Sequence, residues 1–193
     1  MSIDQYSMIK SPAGQLTRRA FLNRAGIAAV GALLLPSAEA IGKVFSMERE
    51  IALHNVHTDE EMTIVCCPEQ QYDRRLIQRF SHFLRDHHSD EVRFMDPALI
   101  DLLYAVSAFT GSTGTIQILS GYRSQETNSW LRKMSHGVAE HSMHIEGKAV
   151  DIRMTDVGTR TIRQVGLALQ QGGVGYYPRS NFVHLDTGRV RSW

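Results

Sequence analysis

Three residues of this sequence have the types and spacing of a metal-ligand set. His144 and Asp151 enclose six residues in the run His144-Ile145-Glu146-Gly147-Lys148-Ala149-Val150-Asp151. His184 follows in Asn181-Phe182-Val183-His184-Leu185-Asp186. Two imidazoles and one carboxylate commonly hold a catalytic zinc, with the fourth position open to water. Zinc so held polarises a carbonyl and lowers the pKa of its water, which is the chemistry of a hydrolase. With nine histidines in the chain, such a spacing also arises by chance. The plain alternative is a set of buried or solvated polar side chains.

The pattern around these residues tells how they can meet. Gly147 permits a sharp turn just after His144. Residues 148–154 alternate well enough to form a strand, with Ala149, Asp151 and Arg153 on one face and Val150, Ile152 and Met154 on the other. In the later segment Phe182, His184 and Asp186 share a face. If the two strands pair, Asp151 and His184 point into one cleft, and His144 closes over them from the turn.

The rest of the chain supplies the scaffold. Residues 50–56 and 62–67 read as two strands around Thr58-Asp59-Glu60, a hairpin. Residues 73–87 carry Leu76, Ile77, Phe80, Phe83 and Leu84 at helical spacing. Asp96-Pro97 is an N-cap followed by proline at the first helical position, and Leu99, Leu102, Leu103, Val106 and Phe109 continue that helix. Gly111 to Gly114 ends it. Residues 115–121 form a short β-rich run that delivers Tyr122 and Arg123 at its end. Residues 124–133 and 159–171 read as two more helices, the last ended by Gly172-Gly173. Helices and strands mix without regular βαβ alternation. The expected fold is therefore α+β, a single domain with a mainly antiparallel sheet flanked by helices. The expected boundaries are a leader at 1–40 and one domain with the candidate metal site at 41–193, made of an N-terminal β-hairpin (49–67) and a core from about 73 to 193.

The first 40 residues have the order of an export signal. Thr17-Arg18-Arg19-Ala20-Phe21-Leu22 is a twin-arginine motif, followed by a short, mildly apolar run from Ala25 to Leu35 and by Ala38-Glu39-Ala40, a small-x-small cleavage site. The paired arginines favour the Tat route, with the Tat machinery as partner and the periplasm as destination. The apolar run is too short to span a bilayer, which takes about 20 apolar residues, so no stable membrane span is expected. Charge excludes little else. The chain has 21 Lys+Arg against 20 Asp+Glu. Removing Lys10, Arg18, Arg19 and Arg24 with Asp4 and Glu39 leaves that balance close to neutral. Without a basic stripe, nucleic acid is not an expected partner. The adjacent Cys66 and Cys67 point to opposite faces of a strand. They suit neither an unstrained bridge nor a zinc pair, and read as packing residues.

Three ordered motifs carry a family likeness. They are Ser142-x-His144-x-x-Gly147-x-Ala149-x-Asp151, the upstream Ser120-Gly121-Tyr122-Arg123-Ser124, and Phe182-Val183-His184-Leu185-Asp186. Together they resemble the zinc peptidases of the lysostaphin, D-alanyl-D-alanine carboxypeptidase and sonic-hedgehog (LAS) superfamily. The run from Gly172 to His184 and the terminal Arg191-Ser192-Trp193 are similar to the murein endopeptidase K (YcbK-like) family. The resemblance implies a LAS-type core and a zinc held by His144, Asp151 and His184. The implied activity is hydrolysis of peptide cross-links in peptidoglycan at bonds involving meso-diaminopimelate.

The same likeness sets Arg123 facing the substrate, where it can hold a carboxylate or a developing oxyanion. Its plain alternative is a surface salt bridge. Ser142 matches a position near the first ligand, with substrate binding or a turn hydroxyl as its roles. Related carboxypeptidases carry a Glu three residues before the last histidine ligand, where this chain has Asn181. Asp186, two residues beyond His184 and about 6.5–7 Å along the strand, is then the expected general base, with an orienting role as its alternative and His141 as a second candidate. The remaining histidines, His54, His57, His82, His87, His88 and His136, read as solvated or partly buried. A D,D-carboxypeptidase and a non-catalytic, zinc-containing wall-binding module are the competing functions.

Overall fold

A computed structural model describes residues 49–66, 72–134 and 139–193. The expected export signal (1–40), Cys67 and His136 lie outside the described residues. The strands are β1 (Arg49–Asn55), β2 (Glu60–Cys66), β3 (Ile116–Ser120), β4 (Ala149–Met154), β5 (Gly173–Tyr177), β6 (Phe182–Asp186) and β7 (Arg191–Ser192). The helices are α1 (Arg74–Phe83), α2 (Ala98–Thr110), α3 (Gln125–Met134) and α4 (Thr159–Leu169). All seven strands form one sheet in the order β2-β1-β3-β4-β6-β5-β7. The β1–β3 and β5–β7 pairs are parallel and the other four antiparallel. The fold is α+β with a mixed, mainly antiparallel sheet. The β1–β2 hairpin joins that same sheet through β3, so it shares the hydrogen-bonded framework of the site.

The period-two alternation of β4 and β6 decides which way the sheet faces. Val150, Ile152, Val183 and Leu185 are fully buried on one side. There α4 packs on β4, β5 and β6, and α2 packs on α4 and β1. Gly166 of α4 lets the helix approach Leu185 and Val174 closely. With Leu53, Phe80, Leu99, Leu103, Ile116 and Ile118 these residues form the core. Truncating one such large side chain to alanine typically costs about 2–5 kcal/mol. The opposite face of β4 and β6 carries Asp151 and His184, so the core side fixes the backbone from which the polar side works. No described helix is long and apolar enough to cross a membrane.

Two helix ends differ from the sequence expectation, each for a local reason. Helix α1 stops at Phe83, although the apolar stripe suggested 87. The Leu84 carbonyl instead accepts the Tyr122 amide at 2.7 Å, and Asp86 folds its side chain onto the amides of His88 and Ser124. Helix α4 ends at Leu169, with Gln170 taking the left-handed conformation (φ 50°) expected of Gly172-Gly173. Those glycines serve the sheet instead. At the start of α2, Asp96 accepts the Ala98 amide at 3.0 Å, as an N-capping side chain does.

Candidate metal centre and active site

Asp151 and His184 are cross-strand partners in the β4–β6 ladder. His144 reaches them from the turn before β4. Gly147 has φ 70°, and a Cβ there would lie 2.5 Å from the Phe94 carbonyl oxygen. The Gly147 carbonyl accepts the Asp96 amide, which ties the turn to the start of α2. The result is a buried trio. His184 Nδ1 lies 2.9 Å from Asp151 Oδ1, His144 Nε2 lies 3.1 Å from His184 Nδ1, and His144 Nε2 lies 3.3 Å from Asp151 Oδ1.

Ligands about 2.0–2.2 Å from a tetrahedral centre stand roughly 3.3–3.6 Å apart. The His144–Asp151 separation of 3.3 Å lies in that range, and the two contacts of His184 Nδ1, at 2.9 and 3.1 Å, are shorter, as hydrogen bonds are. Each of the three residues offers an atom within 4.8 Å of the others, and this is the group of metal-ligand type found among the described residues. The tautomers agree. His144 Nδ1 donates to the Gly121 carbonyl at 2.7 Å, which leaves the Nε2 lone pair facing the trio. His184 Nε2 donates to Asp186 Oδ2 at 3.0 Å, which commits Nδ1 to the same point. Pinning the remote nitrogen of each histidine is how proteins orient metal-ligating imidazoles.

Charge in the trio is divided unevenly. Burial works against the Asp151 carboxylate, but His144 and His184 outweigh it and hold its pKa well below the usual range. Burial pushes His144 down, opposed by Asp151. Burial opposes charge on His184 as well, yet its bonds to Asp151 and Asp186 prevail and raise it to about 9. A metal held by His144, Asp151 and His184 would compete with that proton.

Asp186, expected as the general base, is placed otherwise. It is fully buried behind His184. Its Oδ1 accepts from the amides of Gly173 and Gly188 and from Arg191, at 2.9–3.0 Å. Its Oδ2 accepts from His184 and, at 2.7 Å, from Arg191. Burial would raise its pKa, but these donors hold it well below the usual carboxylate range. A carboxylate with both oxygens engaged, on the remote nitrogen of His184, holds that ring in place and has no free oxygen for an incoming proton. Asn181 is exposed in the β5–β6 turn at φ 53°, and lines a shallow hollow with Arg153, Asp156 and Gly158 that none of the trio touches. His141 is exposed.

Arg123 is brought to the trio, with Nη2 3.9 Å from Asp151 Oδ2. Its guanidinium also donates to Asn128 Oδ1 at 3.4 Å and to Ser120 Oγ at 3.3 Å. Burial lowers its pKa, and nearby Asp151, Asp86 and Tyr177 oppose that. Its backbone is held at three consecutive amides: Tyr122 donates to Leu84 O, Arg123 to His144 O, and Ser124 to Asp86 Oδ2. Ser124 Oγ then accepts the Thr127 amide and caps α3. Ser142 is buried, and its hydroxyl accepts the His144 amide at 3.3 Å, the turn-hydroxyl geometry.

Sequence reasoning gave no role to Asp86, Arg191, Tyr177 or Trp193, although the last three lie in the runs that carry the family likeness. Asp86 fell inside a helical stripe. Arg191 opens a strand of two residues and Trp193 follows it, a segment too short for any periodicity to mark.

A family profile described as Peptidoglycan L,D-endopeptidase MepK matches residues 44–193. Peptidoglycan L,D-endopeptidase MepK of Escherichia coli (strain K12) is 38% identical over 176 residues, covering 91% of this chain and 96% of that protein. The protein of that name from Shigella flexneri matches with the same 38% identity and the same coverage. Probable peptidoglycan L,D-endopeptidase MepK of Haemophilus influenzae is 34% identical over 177 residues, covering 91% of this chain and 95% of that protein. No solved structure matches.

Proposed function

Because this chain belongs to the peptidoglycan L,D-endopeptidase MepK family, we propose that it is a zinc-dependent murein endopeptidase that cuts peptide cross-links at meso-diaminopimelate. Peptidoglycan is its substrate and the periplasm its place of work. Export by the twin-arginine route follows from Arg18-Arg19 in the leader. The observation that carries the reading is the His144–Asp151–His184 trio, with one nitrogen of each imidazole turned toward a common point and the other fixed to Gly121 or Asp186.

Zinc bound at the trio supplies Lewis acidity, which polarises the scissile carbonyl and acidifies a water. The protein supplies the rest. Arg123 presents a planar, multi-donor group beside Asp151, suited to a substrate carboxylate or to charge building on the carbonyl oxygen. Ser142 fixes the turn that carries His144 through its hydroxyl. Asp186 is a positioning residue: it holds the His184 ring and neutralises Arg191. Burial of the trio keeps these interactions in a low-dielectric setting, where they act more strongly than in water.

The direct test is to incubate the purified mature protein with defined cross-linked muropeptide dimers, with and without chelator, and to read products by mass spectrometry. Zinc-restored conversion of dimer to monomers is expected. Release of D-alanine from monomers with dimers left intact would identify a carboxypeptidase instead. Dimer binding without turnover would identify a wall-binding module.

A further inference from the structure

Tyr177 lies outside the ligand set, yet it is built into the same face. In the β5–β6 ladder Gly175 opposes His184 and Tyr177 opposes Phe182. Residues two apart on a strand share a face, so Tyr177 stands on the side that carries His184. Its ring stacks on Phe182 with centroids 4.4 Å apart and planes within 16°. The space that a side chain at position 175 would fill is taken by Trp193, because a Cβ there would fall 2.7 Å from the indole Cε2. The indole is packed between functional groups: its ring centre is 5.2 Å from that of His184, and Arg191 lies over its ring, 4.9 Å from the centroid.

The hydrogen bond between Trp193 and Tyr177 has only one direction. Trp193 Nε1 lies 2.8 Å from the Tyr177 hydroxyl. An indole N–H is a donor and never an acceptor. The phenolic oxygen therefore accepts, and its own proton must point elsewhere. Among the described residues no acceptor takes it. Tyr177 is among the groups that act on the charge of Arg123, whose guanidinium stands beside Asp151.

We propose that the Tyr177 hydroxyl donates to the carbonyl oxygen of the bond being cut, together with Arg123, with its proton aimed there by the indole of Trp193. The proposal rests on the endopeptidase reading above. Tyr177 touches substrate, and Trp193 is a positioning residue that acts through Tyr177. The interaction strengthens as negative charge builds on that oxygen, so it acts on turnover more than on binding. Losing one such donor typically costs about 10²–10³-fold in rate.

The experiment compares the mature protein with Tyr177→Phe, Trp193→Phe and the double variant on cross-linked muropeptide dimers. Tyr177→Phe should lower kcat about 10²-fold, with KM changed by no more than a few-fold and bound zinc unchanged. Trp193→Phe, which keeps an aromatic ring but no N–H, should lower kcat by about tenfold. The double variant should be no slower than Tyr177→Phe, because the indole acts only through that hydroxyl.

A readout independent of turnover accompanies it. In a Trp130→Phe background Trp193 is the remaining tryptophan, and Tyr177→Phe should shift its emission by removing its acceptor. Affinity of the chelated protein for the dimer should stay within a few-fold. Near-normal kcat in Tyr177→Phe would overturn the proposal. So would losses that multiply in the double variant, since Trp193 would then act on His184 directly. Loss of fold in Tyr177→Phe would pass the test to Trp193→Phe, where unchanged kcat would overturn it. A wild-type protein that leaves dimers uncut refutes the endopeptidase reading, which is a distinct result.

Discussion

Asp186 and His184 share a strand face, and their side chains meet at 3.0 Å on the imidazole nitrogen that faces away from Asp151. The carboxylate thus holds the ring from behind while Nδ1 looks into the trio. Residue spacing alone could not separate this arrangement from one with a carboxylate beside the reacting water. The packing separates them, because Arg191, Gly173 and Gly188 occupy the remaining lone pairs.

Asp186→Asn should therefore behave as a metal-affinity variant. An orienting partner of a ligand histidine typically contributes about 10–100-fold in affinity or activity. The expected result is a zinc activation curve displaced to higher concentration, with most of the turnover recovered at saturation. A rate that stays about 10²–10⁴-fold down at saturating zinc is the signature of a lost general base, and would restore Asp186 to that role.

Replacing His144 or Asp151 by alanine should remove bound metal and activity together. The far-ultraviolet circular dichroism should stay close to that of the parent, since the core lies on the other side of the sheet. Metal content of both variants measured by elemental analysis checks the assignment. A ratio near one metal per chain in either variant would show that the trio is not the ligand set.

Asp86 should matter to catalysis from a distance. Its side chain accepts the buried Ser124 amide at 2.8 Å, and Ser124 follows Arg123. In Asp86→Ala that amide loses its partner, at a cost of about 1–3 kcal/mol in stability. The Arg123 backbone loses one of three ties, so kcat should also fall by about tenfold. Arg123→Lys, which keeps charge but not the planar fork, should fall further. Denaturant melts and steady-state kinetics read both effects. An Asp86→Ala protein with full kcat would mean that the Leu84 and His144 carbonyls suffice.

His87 gives an acid-sensitive component of stability. Burial, then His57 and His88, then Arg123 push its pKa down to about 4, against the opposing pull of Asp86. Its ring stacks on His57 at 3.8 Å. As pH falls below the ordinary value of 6.5, the unfolded chain takes up this proton first. Stability is thus unaffected above about 6.5 and falls progressively down to about 4. Asp86 is held below its usual value of 3.8, so its own loss begins beneath that window. His87→Asn should flatten the decline in melting temperature between these two pH values. An unchanged slope would mean that other groups carry it.

The trio was legible because strand alternation and a glycine turn are local signals. Ala149, Asp151 and Arg153 had to share a face, and a pairing of the two strands had to bring Asp151 to His184. The supporting shell was not legible, because its partners are distant in sequence. Asp86 lies 38 positions from Ser124, and the Gly121 carbonyl 23 from His144. Helix α1 was overextended for the same reason: its apolar stripe continued, while a tertiary demand for the Leu84 carbonyl and the Asp86 side chain ended it. The glycines after α4 looked like a helix stop because nothing local shows that a neighbouring strand needs their missing side chains.

Strand β5 provides no candidate ligand, yet it sets the dimensions of the centre by what it leaves out. A Cβ at Gly173 would fall 2.3 Å from Asp186 Oδ2 and 2.4 Å from an Arg191 nitrogen, and one at Gly175 would fall 2.7 Å from the Trp193 indole. The two bare positions act as moulds, one for the ion pair behind His184 and one for the indole beside it. Mutational tolerance in this protein is consequently inverted along β5. Adding a single methyl group at either position is expected to disturb the centre more than exchanging a large side chain on the solvent-facing helix surface, although neither glycine has a side chain to offer the trio.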